Sequence, residues 1–599
     1  MASLYLTRKT KAAIWSVMLS CWVIQGLAAR HSMGSADGVS YQNIADACLH
    51  GNWHALVNGY WSPGYPFLLS LWFRAIHPSP YYVPLVLRCF TILTLLLTLG
   101  SLEYFLYAFF RLRHRSAGRD PEDSGFLSDA VLRIACYGIF LWITIFLTPA
   151  SLDHPDIWVF AVYLLASGIS LEIVGAHATP WRFGALGMVL GAGYLMKAVM
   201  LPLSAGFVAS LMLHKQGRVL PKLALTFATF CVVAAPFVSA LSREKGRLTF
   251  GDSGALNYLP FIDDTVKWPN TGQFATEGER ASLIAAPHIA KYTNIVRLGT
   301  YPQWADPSFG YRPVPFHFHL GRQINRTHIV LRYYFDLWFV QLGSLVCGVI
   351  ILFLLSRPWA LSRLLFEHIA VWFPAIAGFA LYAIVRAEPR FFAGFTFTLV
   401  AAALASPQFH DREQARRCGR SFVFAVGLLL GLQIAVRVGR DAGKLLLPDP
   451  YPDWAVAQSL RDLGVQPGDR VSYLGETITD HVWAYLAHVS VVAEIPKQDV
   501  DSFWAASEAQ KEYAMAWLAK TGAKVLVTRD VPASAIATGW VNVRQTDCYI
   551  LELPKQGFAP RNSRVEEHRL GALSKRSNDA ALFATEWNDR ERVNDFLPH

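Results

Sequence analysis

Charge is what this chain has least of. Only 16% of its 599 residues are Asp, Glu, Lys or Arg, where a soluble domain carries roughly 25%, and 53% are apolar. The shortage argues against a soluble globule and for an integral membrane protein. Cysteine is sparse as well: of eight, only Cys48 and Cys548 fall outside apolar runs or their borders. No Cys-x-x-Cys pair or zinc spacing occurs, which argues against a thiolate metal centre. A Cys48–Cys548 bridge stays open on the sequence, with free buried thiols as the plainer reading. An internal repeat is also missing, and residues 449–557 hold no Gly-rich phosphate loop and no nucleophile elbow.

What is present in quantity is hydrophobic length. A bilayer crossing takes about 20 mostly apolar residues, and about eleven windows of that kind can be drawn. They lie at 11–29, 82–110, 130–148, 157–175, 183–196, 198–213, 222–241, 330–356, 364–385, 391–408 and 421–438. The fifth and sixth are short and flank Lys197, as two tilted or incomplete spans would. With the N terminus inside, the inner pieces collect Arg8, Lys9 and Lys11, then Arg111, Arg113, Arg115 and Arg119, and further clusters at 215–222, 357–363 and 412–420. The short outer loops hold only Lys197, Arg386 and Arg390. This asymmetry sets the orientation. The net charge of +10 then needs no nucleic acid, because inner-face clusters meet anionic membrane lipid.

An odd number of spans places the C terminus outside, with outer pieces 30–81, 242–329 and 439–599. The first apolar run has a basic start and a small-residue end, the features of a signal peptide. An uncleaved first helix is the favoured reading, and cleavage would leave the later orientation unchanged.

Four outer turns carry chemistry. Gly34-Ser35-Ala36-Asp37-Gly38-Val39-Ser40-Tyr41 opens a stretch of helical spacing that closes near Gly51, a surface helix at the lipid interface. It is followed by Trp61-Ser62-Pro63-Gly64-Tyr65-Pro66. Asp37 serves there either as a cap or as a base, and the two roles are compatible. The second turn, Thr148 to Asp156, sets Asp153, His154 and Asp156 close to hydrocarbon, where carboxylates are costly unless solvated or paired. Asp156 follows Pro155 and could cap the next helix, whereas Asp153 and His154 are free for an acceptor or a divalent ion. Lys197, with no acid nearby in sequence, either snorkels or meets an anionic ligand. The last turn, Arg386-Ala387-Glu388-Pro389-Arg390-Phe391-Phe392, offers two guanidinium forks for a phosphate or an Arg–Glu388 lock between helices. In the second outer piece Asp252, Asp263 and Asp264 read as solvated acids or acceptor contacts.

These residues together resemble the GT-C superfamily. The points of likeness are an acid after the first span, a long first outer loop with a Pro-rich turn, Pro-Asp at the third-to-fourth turn, Lys between two short spans, and a late Glu-Pro-Arg-aromatic turn. The likeness covers roughly residues 1–440 and is nearest to bacterial proteins similar to protein O-mannosyltransferases and the lipid A aminoarabinose transferase. It implies an inverting glycosyltransferase that takes a sugar from a polyprenyl-phosphate donor at the outer face of a bacterial inner membrane. It also implies Asp37 as general base, and Lys197 and Arg390, with Arg386 in reserve, as donor-phosphate ligands. Asp153, His154, Asp156, Glu388 and Tyr41 are acceptor or metal candidates; no cofactor is certain and a divalent cation is possible. The protein mannosyltransferases carry an adjacent Asp-Glu pair, but Gly38 follows Asp37 here, which favours a lipid or glycan acceptor over a protein.

Beyond residue 440 the pattern changes. Helical stretches at 454–463, 480–488 and 508–521 alternate with strand runs at 470–474, 491–495 and 524–527. The expectation is an α-helical polytopic protein with a small outer α/β domain over 441–557 and a polar, flexible tail over 558–599. Rival readings are a flippase or transporter for lipid-linked sugars, an O-antigen ligase or polymerase-like enzyme, and a sensor with an outer domain.

Overall fold

The structure is a computed structural model. It describes residues 7–116, 126–175, 179–215, 219–263, 280–285, 288–292, 299–309, 311–313, 315–529, 531–532 and 539–554. The tail 558–599 and Asp264 lie outside these residues. The chain divides into two compact units, one of residues 1–279, 294–467 and 478–490, the other of residues 280–293, 468–477 and 491–599.

The first unit is helical. Its elements are α1 (Arg8–Ala28), α2 (Ala36–Leu49), α3 (Gly64–Ile76), α4 (Val83–Ser116), α5 (Asp129–Phe146), α6 (Asp156–Gly175), α7 (Pro180–Met196), α8 (Met200–Lys215) and α9 (Leu220–Lys245). They continue as α10 (Ser253–Ile262), α11 (Pro302–Ala305), α12 (Leu320–Phe335), α13 (Gly343–Leu355), α14 (Ala360–Glu367), α15 (Ile369–Ile384), α16 (Ala393–Ala405), α17 (Arg412–Lys444), α18 (Pro452–Asp462) and α19 (Val482–Ala487). At the centre stands α6, which packs on α4, α7, α8, α15 and α16. It is apolar on every face, as a fully enclosed helix must be, and its first residue is Asp156.

Each of the apolar windows read from the sequence lies on one or more of these helices, but not all are long enough to count as spans by length and composition. Six helices qualify among the described residues, or up to eight if each bent pair is one span. Five windows fall short: α8 and α16 are short apolar helices, and the other three have visible causes. α7 has 17 residues and ends at Lys197. A π turn at Asp336–Gln341 joins α12 to α13, and the pair is bent by 76°. α14 and α15 meet at 81°.

Around α2 the expectation of an interfacial surface helix is corrected. Val39, Tyr41, Ile44, Ala45 and Cys48 are buried as their spacing indicates, but Gly38, Ser40 and Gln42 are buried too. The opposite face is covered by the second outer piece, which the sequence left unread. Ser40 Oγ donates to the Trp304 carbonyl at 2.9 Å and Thr300 Oγ1 to Asn43 Oδ1 at 3.0 Å. Near the end of α2, the Tyr485 hydroxyl of α19 donates to Asp46 at 2.7 Å. All eight cysteines are free, so no Cys48–Cys548 bridge forms.

The second unit is a mixed sheet with strand order β1-β2-β4-β3-β5-β7-β6. The strands are β1 (Arg280–Ala285), β2 (His288–Tyr292), β3 (Arg470–Gly475), β4 (Ser490–Pro496), β5 (Ala523–Thr528), β6 (Val541–Asn542) and β7 (Tyr549–Glu552). β3 and β5 run parallel and are almost continuously buried, as interior strands are. α20 (Val500–Ala505) and α21 (Glu508–Lys520) complete the unit, and α21 starts with a Ser507/Gln510 capping box. The hairpin β1–β2 comes from within residues 242–329, so the sheet draws on chain that the sequence reading assigned to the second outer loop.

Candidate active site

Four separate turns build one polar site. At the start of α2, Ser35 takes the cap by accepting from the Gly38 amide, which leaves the Asp37 carboxylate free of capping. Asp37 Oδ2 lies 3.2 Å from Arg390 Nη2 and 3.6 Å from His154 Nε2. Its Oδ1 accepts the indole N–H of Trp304 at 3.3 Å. The side chain is 27% exposed and so open to a ligand.

The turn after α5 supplies the next groups. Asp153, fully buried, lies against α2 where residue 38 has no side chain; a Cβ on Gly38 would stand 2.1 Å from Asp153 Oδ2. His154 is held on both sides, Nδ1 at 3.0 Å from Asp153 Oδ1 and Nε2 at 2.9 Å from Ser35 Oγ. Arg88, buried in α4, donates to the carbonyls of Ser151 and Ser32, tying this turn to the chain that enters α2. Asp156 heads α6, yet its carboxylate is directed to cations: Lys197 Nζ at 2.5 Å and Arg390 Nε at 3.5 Å.

Lys197 follows α7 in extended backbone, with its ammonium 3.9 Å from the centre of the Phe391 ring. Gly64 explains part of the Trp61–Pro66 turn, because a Cβ there would come within 2.8 Å of the Leu195 carbonyl. That turn therefore rests directly on the backbone leading into Lys197. In the last turn Glu388 takes Arg386 at 2.9 Å and Arg390 at 2.6 Å.

The charges set one another's protonation. Burial pushes the Asp37 carboxyl up, but the neighbouring His154 imidazole and the charges of Arg390 and Arg386 outweigh it and hold Asp37 below the ordinary carboxylate range. For His154, burial and Arg390 push the imidazole down, yet the Asp153 and Asp37 carboxylates beside it leave it above its usual value. The arrangement thus favours the ionised form of Asp37 and the protonated form of His154. Beside it, Asp156 and Arg390 line a small pocket of about 10 Å³ whose other walls include Phe160, Tyr163, Leu203, Tyr382, Phe391 and Phe395.

Of the residues singled out from the sequence, Asp37, Asp153, His154, Asp156, Lys197, Arg386, Glu388 and Arg390 join one linked network. Tyr41 does not reach it directly; its ring is buried against Trp61 and Tyr65 at 4.9 and 5.1 Å. Asp252 and Asp263 are buried, not solvated: Arg247 binds Asp252, and the His317 amide donates to Asp263 at 2.6 Å. Among the described residues no three His, Cys, Asp or Glu side chains form a metal-ligand group. Asp37, Asp156 and Glu388 each face a cationic side chain. Ser35, Arg88 and Trp304 were missed. Arg88 did have a signal, a lone charge inside an apolar window; Trp304 had none.

No family model matches the chain, and no curated protein does. Its fold, however, is similar to solved structures. ArnT from Cupriavidus metallidurans bound to undecaprenyl phosphate aligns with a TM-score of 0.52 at 13% identity, over 91% of this chain and 98% of that one. The apo form of the same protein gives 0.52 at 12% identity, over 90% and 98%. The oligosaccharyltransferase AglB from Archaeoglobus fulgidus, in complex with an inhibitory peptide and a dolichol-phosphate, gives 0.44 at 12% identity, over 87% and 70%. The likeness to ArnT is one of fold and takes in nearly the whole of both chains.

Proposed function

We propose that the protein is an inverting glycosyltransferase that moves a sugar from a polyprenyl-phosphate donor to a lipid or glycan acceptor at the outer face of the membrane. The observation that carries this reading is the convergence of Asp37, Asp156, Lys197 and Arg390 from four turns onto one network. About eleven spans follow if the short helices α7, α8 and α16 each cross and each bent pair crosses once. The basic ends of α4 and α17 then face inward, and the α/β unit lies outside.

The reaction needs a base for the acceptor hydroxyl and cations for the departing phosphate. Asp37 is ionised and exposed enough to serve as base. Arg390 and Lys197 serve as the cations, with Arg386 next to them. Acids and cations are balanced in the network, so a donor phosphate competes with carboxylates for Arg390. Once phosphate draws Arg390 away, Asp37 keeps His154 and Trp304 and gains room for the acceptor hydroxyl. Asp153 and His154 hold this arrangement in place.

The test is to give the protein in lipid a panel of undecaprenyl-phosphate hexoses and pentoses with a membrane extract as acceptor, and to measure free undecaprenyl phosphate. Release by the wild type and not by Asp37→Asn supports the reading. No release with any donor, while labelled lipid-linked sugar crosses the bilayer, supports a flippase instead.

A further inference from the structure

The two oxygens of Asp37 are held by different kinds of partner. Oδ2 faces charged groups, Arg390 at 3.2 Å and His154 at 3.6 Å, whereas Oδ1 accepts from the neutral indole of Trp304 at 3.3 Å. That indole is itself firmly placed. The Trp304 carbonyl accepts from Ser40 Oγ at 2.9 Å and from Trp61 Nε1 at 3.0 Å, and the next carbonyl, Ala305, accepts from Asn58 at 3.0 Å. One turn further along α2, Thr300 donates to Asn43. Residues 300–304 therefore follow one stripe of α2, meeting positions 43, 40 and 37, spaced by three residues as neighbours on one helix face are. The Trp304 ring is walled by Tyr60 at 5.8 Å and Trp61 at 5.9 Å.

We propose that Trp304 is the positioning residue of the base: its indole N–H anchors Oδ1 of Asp37 while Oδ2 changes partner from Arg390 to the acceptor hydroxyl. This rests on the reading of Asp37 as base. In the transfer the acceptor oxygen forms its bond to the sugar C1 and gives its proton to Oδ2. The bond from C1 to the phosphate oxygen breaks, and its electron pair leaves with the polyprenyl phosphate, which Arg390 and Lys197 hold. Without a fixed Oδ1 the carboxylate can swing with the departing guanidinium, and the base leaves its place when the donor arrives. A neutral donor suits this task because it is not drawn to the incoming phosphate as a cation would be. The second outer piece thereby acquires a part in the reaction.

The experiment compares Trp304→Phe, which keeps an aromatic ring but loses the N–H, with Trp304→His, which restores a ring donor. Each is assayed on the undecaprenyl-phosphate sugar that the wild type consumes fastest. For Trp304→Phe the expected result is a roughly ten- to hundredfold fall in kcat, the range for losing one hydrogen bond to a charged group, with the donor KM unchanged. Trp304→His recovers part of the kcat. Wild-type kcat in Trp304→Phe, or equal losses in both variants with a raised KM, overturns the proposal alone. A wild type that consumes no donor, or an Asp37→Asn protein at full rate, removes the base and the proposal with it.

Discussion

The two ends of the helical unit use the same residue types in opposite arrangements. At the end away from Asp37 the acid is the hub. Glu172 is bracketed by Arg111 at 3.0 Å and Arg182 at 2.7 Å, Asp129 by Arg113 at 3.4 Å and His114 at 2.8 Å, and Glu103 has Lys11 at 2.6 Å plus the Trp15 indole. At the Asp37 end the cation is the hub: Arg390 serves Asp37, Asp156 and Glu388 at once. A cation committed to a single acid has little reason to exchange. A cation divided among three acids can pass one of them on when another anion arrives, and exchange of that kind is what binding a phosphate requires. Buried ion pairs contribute uncertain net stability, so it is the wiring, not the number of pairs, that separates a structural cluster from a reactive one.

That contrast breaks most visibly at its two centres. Asp37→Asn should lower transfer roughly 10²- to 10⁴-fold, the range for a lost general base, while the unfolding temperature stays near wild type. Glu172→Gln at the other end should do the reverse, leaving kcat within about twofold but costing about 1–3 kcal/mol of stability by stranding two arginines, read from thermal unfolding in detergent. Next in size, Arg390→Lys keeps the charge but loses the fork that reaches three carboxylates; kcat should fall roughly ten- to hundredfold, with a higher donor KM. Gly38→Ala tests the packing beneath the network. Its new Cβ meets Asp153, so α2 must shift from the 153–156 turn, and activity should fall about tenfold at a stability cost of about 1–3 kcal/mol.

The smallest effect is a pH slope. His154 holds its proton more tightly in the fold than its ordinary value of 6.5. Its contribution to stability is therefore fully present below about pH 6.5 and fades as pH rises through the folded value. Unfolding temperature measured across that window should fall less steeply in His154→Gln than in the wild type, and an unchanged slope would remove the imidazolium from the account.

Much of this site was legible in the sequence because membrane burial makes charge conspicuous. Asp153, Asp156, Lys197 and Arg390 stood out as polar groups beside hydrocarbon, and their turns do meet. The partners were not legible. Lys197 has no acid near it in sequence, and its counterion Asp156 arrives from 41 residues away. Trp304 reaches Asp37 across 267 residues, from a loop whose sequence has no periodicity that would place it on α2. The strands β3, β4 and β5 coincide with runs visible as apolar stretches between turn residues. The hairpin at 280–292 joins the same sheet through long-range pairing with β4, which a local pattern does not encode. Asp252 and Asp263 were misjudged for the same reason, since burial of a loop acid depends on chain that folds over it.

The proposed transfer is a single displacement in which Asp37 takes a proton and never bonds to the sugar. The most direct test is the anomeric configuration of the transferred sugar, read from the one-bond carbon–proton coupling at C1 in the isolated product beside that of the donor. Inversion is the predicted result. Retention would contradict it, because two displacements would then be needed, with a residue of this site acting as nucleophile.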